Sequence, residues 1–229
     1  LAADKPVWND YFESEQYSTR NWDGKMTDGT GPSTGDASGL ASAIARQLEG
    51  SGKRAPAPVE KWDPPFCGDL DMEIRRDGTW FYQGTPIGRA ALVHLFSTVL
   101  RKDDNGETYL VTPVEKVRIR VEDAPFVAVA MTVSGKGEEQ LLSVRTNMGD
   151  VVEIGAGHRL RFEVSGENAE LKPYVRVRGR LEALFSRALT YDLVALGEEV
   201  EIDGTAMFAV RSAGEVFPVM DMAKLEKAL

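Results

Sequence analysis

The sequence is short of cysteine, histidine and positive charge, and each shortage removes a class of function. Cys67 is the one cysteine among 229 residues, so no internal disulfide can form and a four-thiolate metal site is excluded. The two histidines, His94 and His158, stand at no zinc-ligand spacing. Lysine and arginine number 27 against 36 aspartates and glutamates. The resulting formal net charge of −9 argues against a nucleic-acid polymer or an anionic membrane surface as partner. No apolar run approaches the ~18 residues of a membrane span, and the polar, acidic start lacks the basic and apolar regions of a signal peptide. There is no phosphate-binding loop, nucleophile elbow or dinucleotide fingerprint, Gly155-Ala-Gly157 being too little. The expectation is a protein of the reducing cytoplasm that works without a cofactor and without catalysis.

What is present suits a globular chain, because 42% hydrophobic and 28% charged residues suffice for one substantial core or two modest ones. The richest stretch is 66–123. Segments 72–75 and 80–83 flank Asp77-Gly78, which predicts a tight hairpin. Thr85-Pro86 offers a capping oxygen and a preset φ for a helix start, and Leu92, Leu95, Phe96, Val99 and Leu100 follow at helical spacing. From there strand patterns succeed one another at 109–112, 117–121, 127–134, 141–146, 151–154, 160–164 and 174–178, and an amphipathic helix over 180–196 closes the series.

This order predicts an α+β fold: a duplicated strand-helix core and a C-terminal antiparallel, seven-stranded, pleckstrin-homology-like barrel with a capping helix. The expected divisions are a polar, partly flexible extension over 1–39, a small α+β domain over 40–105, the barrel with its helix over 106–197, and strands with a short helix over 198–229. Trp8, Tyr11, Phe12, Tyr17 and Trp22 make the extension a candidate docking segment, and 38–49 reads as a short helix.

The duplication rests on an 89-residue shift that lays Arg89 on Arg178, Leu92 on Leu181, Leu95 on Leu184, Phe96-Ser97 on Phe185-Ser186, Leu100 on Leu189 and Asp103 on Asp192. Burial alone explains the apolar matches; the serine, aspartate and arginine matches favour a copied unit. Two copies leaning together leave a seam between them, a common place for a ligand.

Arginines alternate at Arg118 and Arg120, at Arg159 and Arg161, and at Arg176, Arg178 and Arg180. On adjacent strands they would form a basic face able to grip phosphate or carboxylate. The plainer alternative is cross-strand pairing with Glu115, Glu122, Glu163 or Glu182. Asp69 and Asp71, two apart on a strand, suggest an acid pair or a cation site, against the simpler reading of a solvated hairpin face. Trp80 and Tyr82 share a strand face and are core residues first, a stacking platform second.

At Pro58-Val-Glu-Lys-Trp-Asp-Pro64, Cys67-Gly-Asp-Leu-Asp-Met72, Asp77-Gly-Thr-Trp-Phe-Tyr82, Gly84-Thr-Pro-Ile-Gly-Arg89, Tyr109-Leu-Val-Thr-Pro-Val-Glu-Lys116, Thr146-Asn-Met-Gly-Asp150 and Tyr174-Val-Arg-Val-Arg-Gly179 the chain resembles the bacterial domain-of-unknown-function family 1285. The likeness spans about residues 40–218. It implies a duplicated core, a C-terminal half superficially similar to pleckstrin-homology folds, and a ligand site between the halves, with a nucleotide-like molecule and a signalling role as the suggestion. It supplies no mechanism.

The leading functional expectation is a non-enzymatic sensor or adaptor that binds a small anionic, nucleotide-like ligand at the seam. Arg89, Lys116, Arg118 and Arg178 would supply charge, Glu115 and Asn147 orientation, and Trp80 or Tyr82 a stacking surface. The alternatives are a protein-interaction module gripping a protein partner and, last, a metal-dependent hydrolase built on Asp69 and Asp71.

Overall fold

The computed structural model describes residues 56–165 and 170–223 together with Gly39, Ala41, Ser42 and Ile44. The chain divides into Leu1–Pro32 and Ser33–Leu229, and every described residue lies in the second unit. The expected docking segment and most of the expected helices over 38–49 and 221–229 lie outside the described residues. Gly39, Ala41, Ser42 and Ile44 are helical, and Ile44 is fully buried in the core. No helix among the described residues is long and apolar enough to cross a membrane.

The first sheet holds β1 (Phe66–Ile74), β2 (Trp80–Tyr82), β3 (Thr85–Pro86), β4 (Leu100–Lys102), β5 (Thr108–Val111) and β6 (Lys116–Val121), with helix α1 (Ala90–Ser97) between β3 and β4. Its order, β3-β2-β1-β6-β5-β4, is two antiparallel meanders joined where β1 lies parallel to β6. Along β1, Leu70, Met72 and Ile74 enter the core while Asp69 and Asp71 face outward, the period of two that a half-buried strand requires. The Asp77-Gly78 turn forms as expected, with Gly78 at φ 84° and the Asp77 carboxylate accepting from the Thr79 amide at 2.8 Å.

Thr85-Pro86 does not start the helix. Gln83 and Gly84, both at positive φ, fold the chain back so that Thr85 pairs with Tyr82, and Pro86 sits in an edge strand where a missing amide costs nothing. The helix begins at Ala90 with Arg89 as its N-cap.

The second sheet holds β7 (Phe126–Ser134), β8 (Leu141–Thr146), β9 (Val151–Glu153), β10 (Leu160–Ser165), β11 (Glu170–Arg178) and β12 (Leu181–Phe185), followed by helix α2 (Arg187–Val194). Its order is β10-β11-β12-β7-β8-β9. This corrects the expected antiparallel, seven-stranded, pleckstrin-homology-like barrel: the sheet is open, has six strands with β7 parallel to β12, and ends in β10 on one edge and β9 on the other. Two of the seven expected strands, β5 and β6, belong to the first sheet.

The expected helix over 180–196 is in fact β12 and then α2. Gly179, at φ 50°, reverses the chain after β11, and Leu181, Ala183 and Phe185 alternate into the core against β7 and β11. Pairing on both sides overrides the helical propensity of a Leu-Glu-Ala-Leu run. The helix starts only at Ser186, whose hydroxyl accepts from the Leu189 amide.

The two sheets are copies of one pattern, each a pair of three-stranded meanders whose first and last strands lie parallel. Corresponding rows match residue by residue. Leu100, Leu110 and Val117 stand opposite one another across β4, β5 and β6, as Leu160, Val175 and Ala183 do across β10, β11 and β12, and all six are buried. In the next row Arg101, Tyr109, Arg118 and Asp69 correspond to Arg161, Tyr174, Leu184 and Val127. The duplication is therefore present, in a register different from the 89-residue shift, which lays helix α1 on strand β12.

A third sheet, β13 (Glu198–Ile202), β14 (Thr205–Ser212) and β15 (Glu215–Asp221), is bound to the second through Ser212. That fully buried hydroxyl donates to the Ile154 carbonyl at 2.7 Å and accepts from the Leu142 amide at 2.9 Å. Trp80, Phe96, Phe126, Val210 and Phe217 share one hydrophobic core with side chains of all three sheets, while Ala124, Tyr174 and Leu184 form a small cluster of their own.

Candidate functional site

The side of the first sheet turned away from the core carries a ladder of charges. Because β1 and β6 run parallel, Asp69 stands opposite Arg118 and Glu73 opposite Arg120, and an irregularity in β1 places Asp71 between them on the same face. Arg118 grips Asp69 with two parallel bonds, Nε at 2.8 Å and Nη2 at 2.7 Å, the geometry a guanidinium fork prefers. Arg120 Nη2 donates to Asp71 at 3.1 Å and lies 4.0 Å from Glu73. The hydrogen bonds from Arg118 hold the Asp69 carboxyl below its usual range, and the same bonds raise the guanidinium.

This ladder lines an open groove of about 760 Å³. Gly106, Glu107, Glu122, Asp123 and Pro125 also line it. The last three belong to the segment between β6 and β7, so the groove reaches the connection between the two sheets. There Asp123, only 11% exposed, accepts from Lys172 Nζ at 2.8 Å and the Tyr174 hydroxyl at 2.7 Å, with Arg76 Nε at 3.7 Å. Burial pushes the Asp123 carboxyl up, but the bonds from Lys172 and Tyr174 outweigh it and leave the group below the ordinary aspartate range. Tyr174 moves the other way: burial and the adjacent carboxylate both raise its hydroxyl.

Beside the groove, Lys116 bonds Asp103 at 2.8 Å and lies over the Tyr109 ring at 4.6 Å. Buried Arg101 meets the same Asp103 and donates to the Val59 and Trp62 carbonyls, fastening the segment that precedes β1 across this face.

A second group of expected site residues lies where the two sheets meet. Arg178 donates to Asp150 at 2.8 Å and to the Ser97 carbonyl at 2.7 Å, with its guanidinium over the Phe126 ring at 4.7 Å. Asn147 exchanges bonds with the Val127 backbone and packs so closely on the β1–β2 turn that a Cβ on Gly78 would stand 2.5 Å from its Nδ2. Trp80 is 1% exposed and stacks on Phe96. It is core, and its ring presents no surface for a base.

The eight expected residues thus fall into separate places. Arg118 lines the groove and Lys116 lies beside it; Trp80, Asn147 and Arg178 are packed where the sheets join. Arg89 caps α1 from an exposed position, the Glu115 backbone closes a turn with Thr112, and half-buried Tyr82 accepts from Gln83 at 3.4 Å. The alternating arginines do not share one surface: Arg161 pairs with Glu163 and Glu182 on the second sheet, lying over Tyr174. Sequence reasoning noticed Arg120 without assigning it, and gave no role to Glu73 or Asp123. The signal was available in the matched alternation Asp69-x-Asp71-x-Glu73 and Arg118-x-Arg120.

Comparison with known proteins follows the division between the sheets. Residues 57–124 match the profile described as "Domain of unknown function (DUF1285), N-terminal domain", and residues 125–219 match "Protein of unknown function (DUF1285), C-terminal domain". A crystal structure of a DUF1285 family protein from Silicibacter pomeroyi DSS-3 is 48% identical, covers 80% of this chain and 97% of its own, and superposes with a TM-score of 0.71. Another, from Shewanella baltica OS155, is 30% identical over 55% of this chain and 91% of its own, with a TM-score of 0.43. No curated protein matches.

Proposed function

The chain belongs to the DUF1285 family, and we propose that it is a non-enzymatic sensor or adaptor whose ligand site is the groove over β1 and β6. A small ligand presents an acidic group to Arg118 and Arg120, which exchange a carboxylate of β1 for one of the ligand. The observation that carries this reading is internal to the molecule. At the corresponding row of the second sheet, Val127 and Leu184 stand where Asp69 and Arg118 stand in the first, under the same tyrosine. In the second copy that pair is apolar and buried, with Ala124 packed on Leu184; in the first it is charged and exposed, where ion pairs contribute little to stability. A charged ladder facing an open groove calls for another reason.

Binding suits these groups better than catalysis. Asp69 is drawn below the usual range by Arg118 and is a poor proton donor at neutral pH. Asp71 already holds Arg120, so a metal would have to displace that partner. The expected nucleotide loses Trp80 as a stacking surface because that ring is buried, Tyr82 does not line the groove, and the proposed site moves from the junction of the sheets to the face of the first.

Thermal-shift screening of carboxylated and phosphorylated metabolites tests the proposal on the full chain and its Arg118→Met, Arg120→Met double variant. At least one compound should raise the melting temperature of the wild type and leave the variant unmoved. Stabilisation equal in both proteins, or by no compound, contradicts the groove as the site.

A further inference from the structure

We infer that the ligand of this groove is zwitterionic, placing its anionic group on Arg118 and Arg120 and an ammonium against the carboxylates of Asp71 and Glu73. The inference rests on the binding reading above and names the chemical class. It begins from the register of β1 against β6. Between the pairs Asp69 with Arg118 and Glu73 with Arg120, β1 advances further than β6 does, and the additional outward residue is Asp71. Three carboxylates consequently face two guanidinium groups. Asp69 takes Arg118 by two bonds, whereas Asp71 and Glu73 both approach Arg120 through the same nitrogen, Nη2. Glu107 adds a further negative charge 3.9 Å from Arg118.

Two consequences follow for an incoming molecule. A guanidinium has five N–H donors in a fixed fork, so Arg120, 69% exposed, retains donors for an anion after Asp71 is served. An anion alone, however, releases a carboxylate into a groove where acids already outnumber bases, and a polyphosphate meets that repulsion several times over. A molecule that brings its own ammonium exchanges pair for pair and leaves the charge of the groove unchanged. An anionic group that replaces Asp69 on Arg118 lies two residues along β1 from Asp71, roughly 7 Å, so the two charged groups of the ligand should be separated by a similar distance.

The second sheet makes the argument specific to this face. There Arg161 holds two carboxylates, Glu163 and Glu182, and the rest of its row is closed by Tyr174 and Leu184 with Ala124 packed on them. The copied pattern has an acid surplus of its own, but on a single arginine beside an apolar, covered row, with no second guanidinium paired to those carboxylates among the described residues.

The test uses the full chain labelled with nitrogen-15, following the arginine Nε–H signals, assigned through Arg118→Lys and Arg120→Lys. The probes are 5-aminovalerate, pentanoate, pentylamine, inorganic phosphate and ATP. The inference predicts that 5-aminovalerate moves the Arg118 and Arg120 signals to saturation, with pentanoate and pentylamine each at least about tenfold weaker. It further predicts that Glu73→Gln weakens 5-aminovalerate more than pentanoate. If phosphate or ATP moves these signals at lower concentration than 5-aminovalerate, the groove remains a site and the zwitterionic class is wrong. Pentylamine binding as tightly as 5-aminovalerate overturns the class in the same way, leaving a cation site. If no probe moves either signal, the groove reading falls together with the inference.

Discussion

Tyr109 and Tyr174 occupy the same position in the two sheets, each with an arginine on its edge side and each paired inward to the strand that runs parallel to the first of its sheet. Beyond them the copies part. Tyr109 faces Arg118 and then Asp69, whereas Tyr174 faces Leu184 and then Val127. One copy has covered its outward face with the segment before β7, through Ala124 packed in the Tyr174 and Leu184 cluster and Asp123 bonded to the Tyr174 hydroxyl. The other is crossed at Arg101 by the segment before β1 and keeps Arg118 and Asp69 charged and exposed. The divergence of the two rows separates what the fold needs from what the face does.

Arg178 is a clamp between the sheets, and its planar fork is what allows it to reach both Asp150 and the Ser97 carbonyl. Arg178→Lys should lower unfolding stability by about 1–3 kcal/mol, since an ammonium cannot hold two partners set for a fork and leaves one of them unbonded. Urea denaturation checks this; a lysine variant as stable as the wild type would remove the clamp from the account.

Asp123 gives a pH dependence with a definite sign. Its folded-state pKa lies below the unfolded value, so its contribution is fully present above the ordinary aspartate range, near pH 4, and is lost as pH falls through the folded value. Asp123→Asn should cost about 1–3 kcal/mol at neutral pH, because Lys172 loses its counter-charge in a half-buried place. The gap between wild type and variant should stay constant from neutral pH to about pH 5 and narrow below about pH 4. A gap that widens with acid has the wrong sign for this carboxylate.

Ser212 is where the third sheet holds to the second. Ser212→Ala leaves the Leu142 amide and the Ile154 carbonyl without that buried partner and should cost about 2 kcal/mol. Hydrogen exchange at the Leu142 amide should quicken in parallel. Unchanged exchange there would mean that the sheet is held by apolar contacts and by the bonds of Gln140 to the Arg211 and Ala213 backbone, without need of Ser212.

Much of this was legible in the sequence, and the failures have physical causes. Alternation gave the strands from 109 to 178, as where Leu142 and Val144 bury one face while their neighbours do not. It misread 181–185, where Leu, Glu and Ala favour a helix and only pairing with β7 and β11 makes a strand. The copied unit was found in the wrong register. Leu100-Arg101 and Leu160-Arg161, with Tyr109 and Tyr174, correspond only when a gap is allowed between them, which an ungapped shift cannot supply. The ladder itself was half read: Asp69 and Asp71 were noticed, as were Arg118 and Arg120, but strands whose paired residues lie 49 apart and run parallel announce no partner in local sequence.

The central claim is that the Asp69 and Arg118 pair serves the groove and not the fold, and exchanging it for the residues of the other copy tests this directly. Urea denaturation at neutral pH of the Asp69→Val, Arg118→Leu double variant should give a midpoint indistinguishable from that of the wild type. A midpoint shifted clearly to lower urea would show the ladder to be structural and would contradict the account.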